Sequence, residues 1–185
     1  MDFRQLGIYA DEMLRGTLFA YHVPAQALLL AATTGGHPTL INPIGSGKVF
    51  IPVALELGFV SGTTVIGSVL IAETLNVGGG PATGAAIPTA TLVTGKSARR
   101  GGGGNSTLMW SPTTNTFTAA PAVIAASGLN LGAAAPTGTG TYEAKFDGRL
   151  AFDPGTAMSL VYSVTTSTAL FQITLFGIEK PVPNL

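Results

Sequence analysis

The strongest candidate for ligand chemistry in this 185-residue chain is the tetrad Gly45-Ser46-Gly47-Lys48. Glycines and a lysine are the residue types with which a phosphate-binding loop cradles a nucleotide. That loop also requires a glycine where this chain has Asn42, a serine or threonine where it has Val49, and a helix directly afterwards. A strand pattern follows instead. We therefore interpret Asn42-Pro43-Ile44-Gly45 as a type I turn with proline at its second position.

His22 and His37 are the only imidazoles, and the chain contains no cysteine. A zinc centre or a catalytic triad needs histidine together with further ligands or a nucleophile at suitable positions. Neither histidine has such a spacing, and no Gly-x-Ser-x-Gly nucleophile elbow occurs. The sequence therefore predicts no catalytic residue, no metal site and no cofactor, and we expect the protein not to be an enzyme.

The densest carboxylates are Glu143, Asp147 and Asp153. General acid–base catalysis would need two of them to converge on a cleft, and their spacing matches no calcium-binding loop. Lys145 and Arg149 alternate with these carboxylates, which favours a solvated, charge-balanced hairpin.

Three basic residues, Lys96, Arg99 and Arg100, lie in a glycine-rich stretch and support a binding hypothesis. A flexible basic loop can settle on an acidic protein surface through charge-assisted hydrogen bonds. The alternative is a solvated loop tip without a partner.

Three aromatic residues, Trp110, Phe117 and Tyr142, support a second binding hypothesis, an aromatic platform for a saccharide. In a β-sandwich, aromatic residues at such spacing also serve as core. Both interpretations stay open at the level of sequence.

Charged residues make up only 10% of the chain, against about 25% in ordinary soluble domains, and nine basic residues balance nine acidic ones. Low charge density and zero net charge favour association. They disfavour nucleic-acid binding, which needs a basic surface to displace counterions. The first residues lack the apolar segment of a secretory signal, and the apolar runs are too short to span a bilayer. We expect protein partners, further copies included, although a monomer solubilised by Ser and Thr is the alternative.

These residues must be positioned by short strands, since 25 glycines and 12 prolines punctuate a sequence that is 46% hydrophobic. Residues 1–16 are the one helical candidate, or else an extended arm, with Phe3, Leu6 and Leu14 at a loose period of 3.6. From residue 17 onward the period changes to two. The pattern divides the chain into an N-terminal arm (1–16) and an all-β domain (17–185), with a Gly-rich excursion at 78–104.

The clearest strand, at 48–60, contains Pro52, which indicates an edge strand or a bulge. Its alternate apolar residues are expected on one face: Val49, Ile51, Val53, Leu55, Leu57 and Phe59.

Two further strands, at 64–75 and about 168–178, are apolar on both faces, which predicts that both faces are covered. Leu70 in the first strand, and Phe176 and Ile178 in the second, are the predicted oligomer-interface residues. Several short strands with Gly- and Pro-rich connections are typical of a β-sandwich or barrel. Eight or more strands in two sheets would make it a jelly roll.

Several of the turn sequences resemble one known family. Leu40-Ile41-Asn42-Pro43 with Gly45-Ser46-Gly47-Lys48, followed by Phe59-Val60-Ser61-Gly62-Thr63, is similar to small jelly-roll proteins of tailed bacteriophages. Leu150 to Ala157 resembles the proline-glycine turn of that family, and Phe176-Gly177-Ile178-Glu179 resembles its last strand, which more often carries Trp where this chain has Gly177. The Gly-rich excursion departs from the pattern.

The resemblance implies a jelly-roll β-sandwich that acts as a capsid cement or decoration protein. Such a protein is a structural component of the virion, assembles in the host cytoplasm, and clasps the outer surface of a shell of major capsid protein. We expect a homo-oligomer, dimer or trimer, with the arm (Phe3, Leu6, Leu14) and the basic residues (Lys96, Arg99, Arg100) as the partner-binding elements. The alternative is a receptor- or glycan-binding jelly roll of a phage tail or fibre.

Overall fold

The computed structural model of the chain describes residues 3–30, 32, 34, 36–75, 93–99, 104–111, 120–131, 141–164 and 168–183. Within these ranges it consists of one helix, α1 (Phe3–Arg15), and ten strands. The strands in chain order are β1 (Leu18–Ala27), β2 (Thr39–Asn42), β3 (Lys48–Ser61), β4 (Gly67–Leu75), β5 (Val93–Ser97), β6 (Asn105–Ser111), β7 (Ala122–Leu131), β8 (Thr141–Lys145), β9 (Thr156–Tyr162) and β10 (Leu170–Pro181). The predicted all-β fold class is confirmed.

The helix α1 ends in a glycine-based cap that turns the chain directly into β1. Gly16 adopts a left-handed conformation (φ 74°), which a residue without Cβ reaches at no steric cost. The N–H of Gly16 donates to the carbonyl of Met13, and the N–H of Thr17 donates to the carbonyl of Glu12, both at 3.0 Å. This pair of bonds is a Schellman motif, and it fixes the angle at which α1 returns onto the strands.

All ten strands are joined by antiparallel pairing in the order β7-β4-β9-β2-β6-β5-β1-β10-β3-β8. This order contains two four-stranded halves, β7-β4-β9-β2 and β1-β10-β3-β8. The hairpin of β5 and β6 connects the halves, because β5 pairs with β1 and β6 pairs with β2.

The inner faces of the two halves pack against each other in one hydrophobic core, which gives the fold its sandwich-like character. Its largest fully buried side chains come from both halves: Tyr21 and Phe50, Leu55 and Leu57, Ile71, Met158, Tyr162 and Phe171. The rings of Tyr21 and Phe50 meet edge to face at 5.6 Å. Pairs of this geometry stabilise beyond the area that they bury.

A bulge in β3 changes which of its residues enter the core. Phe176 of β10 pairs with Ala54 and Gly177 pairs with Pro52, so Val53 is an extra residue in β3. The side-chain alternation therefore reverses at this point. The expectation that every alternate apolar residue from 49 to 59 shares one face is wrong: Leu55 and Leu57 enter the core, whereas Ile51 and Val53 face outward. The bulge at Pro52 itself was among the sequence-based expectations.

The Gly-rich excursion predicted at 78–104 contains a strand of the main ladder. β5 (Val93–Ser97) lies between β6 and β1, and the rest of the excursion falls mostly outside the described residues. Tyr21 of β1 accounts for the glycine at position 95, since a Cβ there would overlap the tyrosine ring. The glycine is therefore a packing requirement of the strand.

Candidate functional site

The cluster that most resembles catalytic machinery is centred on a buried carboxylate, that of Glu179 in β10. Its Oε1 accepts hydrogen bonds from the hydroxyl of Tyr21, at 2.6 Å, and from the hydroxyl of Ser106. Burial and the nearby charge of Glu179 raise the pKa of Tyr21. Glu179 is only 3% exposed and Tyr21 is fully buried, so no substrate reaches them in this arrangement. The cluster ties β6 to β1 and β10.

The Gly-Ser-Gly-Lys tetrad is a structural turn, as the sequence indicated. Ile44–Ser46 forms one turn of 3₁₀ helix, and β3 follows it. The hydroxyl of Ser46 donates to Oδ1 of Asn42 at 2.6 Å. The amide of Asn42 donates to the carbonyls of Lys48 (2.8 Å) and Phe152 (2.9 Å). The side chains of Asn42 and Ser46 therefore hold the turn, and a strand follows where a nucleotide site would need a helix.

The other candidates for chemistry are dispersed over the fold. His22 is exposed on β1 beside Thr174, and His37 is buried. Glu143 lies 3.6 Å from Lys145 in an exposed ion pair, and Asp147 occupies the turn after β8 with a φ of 50°. Within the described ranges, no three side chains of metal-ligating type are grouped so that they could hold an ion.

The outer face of the β1-β10-β3-β8 half, with the adjoining β5, carries three of the six predicted partner-binding residues: Leu14, Lys96 and Arg99. Three of its apolar residues, Leu18, Val53 and Ile178, form a small cluster of their own. Tyr9 and Met13 of α1 pack on this cluster. The sequence predicted Ile178 as an oligomer-interface residue. In the structure α1 covers this part of the strand, and Ile178 is only 7% exposed.

Polar contacts hold α1 in place on this face. The carboxylate of Glu12 pairs with the ammonium of Lys180 and accepts a hydrogen bond from the hydroxyl of Thr17. Burial, the largest single influence, would raise the pKa of Glu12, but the bonds from Lys180 and Thr17 and the charges of Lys180 and Arg15 together lower it. The ionised carboxylate therefore anchors the C-terminal end of α1.

Next to α1, a single row of side chains crosses five strands of the outer face. The strand registers place Lys96 beside Ala20, Ala20 beside Phe176, Phe176 beside Ala54, and Ala54 beside Lys145. Phe176 therefore stands as a half-buried aromatic ridge between two alanines, with an exposed lysine beyond each alanine. We call these five residues the Phe176 row.

The remaining predicted binding residues fall into three groups. Leu14 is 62% exposed at the end of α1, and Nη1 of Arg99 donates to its carbonyl at 3.0 Å. Phe3 and Leu6 belong to the first turns of α1, whereas Arg100 lies outside the described residues. The structure thus brings Leu14, Arg99, Lys96 and Phe176 to one face.

Leu70 and the aromatic residues of the saccharide hypothesis lie elsewhere. Leu70 is half-buried on β4, in the opposite half of the sandwich from Phe176. Tyr142 is half-buried on β8 and packs against the core, whereas the backbone of Trp110 is in β6. Phe117 falls outside the described residues.

Sequence reasoning missed the small residues that make Phe176 a ridge, Ala20 and Ala54. The alternating pattern Leu18-Phe19-Ala20-Tyr21 does indicate that Ala20 faces outward. Its placement beside Phe176 depends on strand register between segments more than 150 residues apart, for which a single sequence carries no signal.

The α-helical part of the described chain contains no segment that is both long and apolar enough to cross a membrane. Comparison with family models, with curated protein sequences and with solved structures finds no match.

Proposed function

We propose that this protein is a capsid decoration protein with a jelly-roll fold, which binds the outer surface of a shell of major capsid protein and stabilises it. Its location would be the surface of the virion, after assembly in the host cytoplasm. The proposal combines the resemblance of the turn sequences to small phage proteins with three features of the structure.

The first supporting feature is the strand order. Setting aside the β5–β6 hairpin, the first strand pairs with the last (β1 with β10), the second with the next to last (β2 with β9), then β3 with β8 and β4 with β7. A long hairpin of eight strands rolled into two facing sheets has this nested pairing. Jelly rolls are built in this way, and viral capsid domains are among them.

The second feature carries the proposal: two of the turn sequences on which the resemblance depends meet in space. The amide of Asn42 donates to the carbonyl of Phe152, 110 residues away, and the N–H of Gly155 donates to the carbonyl of Asn42 at 2.8 Å. The pairing of β2 with β9 brings the two motifs together, and the side chain of Asn42 joins them. Their coupling through Asn42 supports a shared architecture.

The third feature is the outer face itself. Leu14 and Phe176 offer apolar groups on one surface, and Lys96 and Arg99 offer cationic groups beside them, in a chain with few charges. Contacts of this kind on a regular lattice gain strength by avidity, because each copy meets the same site.

The opposite half of the sandwich carries Leu70 and the exposed side chains of Val123 and Ile124. We assign contacts between copies to this half, so that one half is available for the shell and the other for self-association. The dimer or trimer expected from the sequence would then form without occupying the docking face.

Co-sedimentation tests the proposal. Shells assembled from a major capsid protein encoded by the same genome are incubated with the purified protein, pelleted, and compared with shells of an unrelated phage. We expect saturable binding to the matched shells and none to the unrelated ones. A protein that leaves both shells bare but binds a saccharide on a glycan array would be the tail or fibre module of the alternative hypothesis.

A further inference from the structure

Phe176 divides the outer face beside α1 into two grooves of different size. The wider groove, of about 470 Å³, is bordered by Phe176, Ala20, His22, Thr94 and Lys96. The narrower one, of about 160 Å³, lies on the other side of Phe176, over Ala54. Both exist because alanine on each side of the phenylalanine leaves the ring standing above the sheet.

The two grooves differ in charge although each has a lysine at its outer side. Lys145, in the narrower groove, lies 3.6 Å from Glu143, and Asp147 lines the same groove. Lys96, in the wider groove, donates to the neutral Oδ1 of Asn105 at 2.9 Å, and no carboxylate is among the described residues that line this groove. The wider groove therefore keeps an uncompensated positive charge beside an aromatic surface.

The width of this groove restricts the shape of what enters it. Lys96 and Phe176 stand on strands two positions apart, which corresponds to about 9.5 Å. A helix with its side chains is about 10–12 Å wide, so it would rest on the rim. An extended loop fits between the lysine and the ring.

We propose that the groove between Phe176 and Lys96 binds an extended acidic loop of the shell subunit, with an Asp or Glu carboxylate on Lys96 and the neighbouring apolar side chain on the Phe176 ring. This inference rests on the proposed function and specifies its contact. A charge-assisted bond between an ammonium and a carboxylate supplies direction, and desolvation of the ring supplies affinity. Arg99 and Leu14 extend the surface toward α1.

Binding of matched variants to the same shells tests the inference. Lys96→Gln and Lys145→Gln each remove one lysine of the Phe176 row, in the wider and in the narrower groove respectively. We expect Lys96→Gln to weaken shell binding by about tenfold, the scale on which a contact of about 1.4 kcal/mol acts, and Lys145→Gln to leave it unchanged. Phe176→Ala is expected to weaken binding at least as much, with its thermal unfolding compared with wild type to verify folding.

Salt dependence separates the charge contact from general adhesion. The affinity of the wild type for the shells should fall as ionic strength rises, because salt screens ion pairs. The affinity of Lys96→Gln should fall less steeply, since that variant lacks the lysine of the ion pair.

The outcomes distinguish this inference from the proposed function. If wild type binds the shells and both lysine variants bind equally well, the groove assignment is overturned while the function stands. If wild type does not bind the matched shells, the function fails and the assignment fails with it. A neutral saccharide that binds wild type and not Phe176→Ala would overturn the acidic-loop assignment in favour of a glycan site.

Discussion

At the scale of the residue, the side chain of Asn42 connects two turns that lie far apart in the sequence. Its amide joins the turn before β3 to the turn before β9 by two donated hydrogen bonds. Its Oδ1 accepts a third hydrogen bond from the hydroxyl of Ser46. Replacing Asn42 with alanine removes both donated hydrogen bonds, although the carbonyl of Phe152 keeps the bond from the N–H of Phe50. A typical intramolecular hydrogen bond contributes about 0.5–1.5 kcal/mol, so two of them contribute about 1–3 kcal/mol.

We therefore expect Asn42→Ala to lower the free energy of unfolding by about 1–3 kcal/mol in chemical denaturation. Asn105→Ala is the matched control, since its exposed amide contacts only the Lys96 ammonium among the described side chains. Equal unfolding midpoints for the two variants would contradict the role assigned to Asn42.

Gly177 is the second residue with a specific structural task. The ring of Phe50 lies directly over it, and a Cβ at this position would overlap the ring. Phe50 is fully buried, so it has no free space to move into. This explains why a glycine is required here. The family that the turn sequences resemble more often carries tryptophan at this position.

Gly177→Ala is expected to destabilise the protein by about 1–3 kcal/mol, the usual cost of overpacking a core. Gly45→Ala is the control, because a Cβ there meets nothing within 4 Å, and it should change stability by less than about 0.5 kcal/mol. The double variant Phe50→Leu/Gly177→Ala should show a coupling between the two sites. Additive effects in that double-mutant cycle would mean that the overlap with Phe50 is not the cause.

At the scale of the element, α1 is an anchored part of the fold. Its apolar side covers Leu18, Val53 and Ile178, and Glu12 fixes its end. Removing residues 1–16 would expose this apolar cluster and lower the solubility of the protein. With a truncated chain, loss of docking is therefore indistinguishable from loss of solubility. Point substitutions at Glu12 and in the Phe176 row are cleaner tests.

The lowered pKa of Glu12 makes the docking of α1 sensitive to acid. A carboxyl whose pKa is lower in the folded protein than in the unfolded chain contributes stability that is fully present above the ordinary value, about 4.3 for Glu. That contribution is lost as the pH falls through the lowered pKa. We expect the hydrogen-exchange protection factors of α1 to fall in this acidic range, ahead of those of β3 and β10.

Glu12→Gln should lower α1 protection already at neutral pH and flatten its acid dependence. Asp11→Asn is the control: its partner Arg15 is exposed, and exposed pairs contribute about 0–1 kcal/mol. An unchanged acid profile in Glu12→Gln would show that another group controls the docking of α1.

The elements themselves were partly predictable from sequence, and the reasons are visible in particular residues. The helix at 1–16, the strand at 48–60 and the closing strand were found because periodicity is a local signal. The reversal of faces at Val53 was missed because a bulge depends on the partner strand, here Gly177 opposite Pro52. The place of β5 in the ladder depends on its pairing with β1, where Tyr21 covers Gly95, and local periodicity carries no signal for that pairing.

The candidate site was predictable in its residue types and not in its geometry. Lys96 and Arg99 were predicted as basic residues of a Gly-rich stretch, and Leu14 as an apolar residue of the arm. Phe176 was predicted from an apolar outer strand face. The sequence contains no indication that Lys96 and Phe176 share a row, since the strands that carry them are connected only through β1. Ile178 lies under α1, a helix distant from it in sequence, and local periodicity could not indicate that contact.

At the scale of the whole molecule, the low charge content and the zero net charge follow from how much of the surface is covered in the proposed assembly. The two halves of the sandwich offer different surfaces: α1 with the Phe176 row on one, Leu70 with Val123 and Ile124 on the other. On our proposal each surface is covered in the assembled particle, one by the shell and one by a further copy. A chain covered in this way needs few charges to stay soluble.

A cryo-electron microscopy reconstruction of matched shells, prepared with and without the purified protein, tests this claim most directly. We predict additional density on the outer surface of the decorated shells, with Phe176 and Lys96 facing a loop of the shell subunit and Leu70 facing another copy. Shells that show no added density at saturating protein, or density in which Phe176 and Lys96 face solvent, would contradict the proposal.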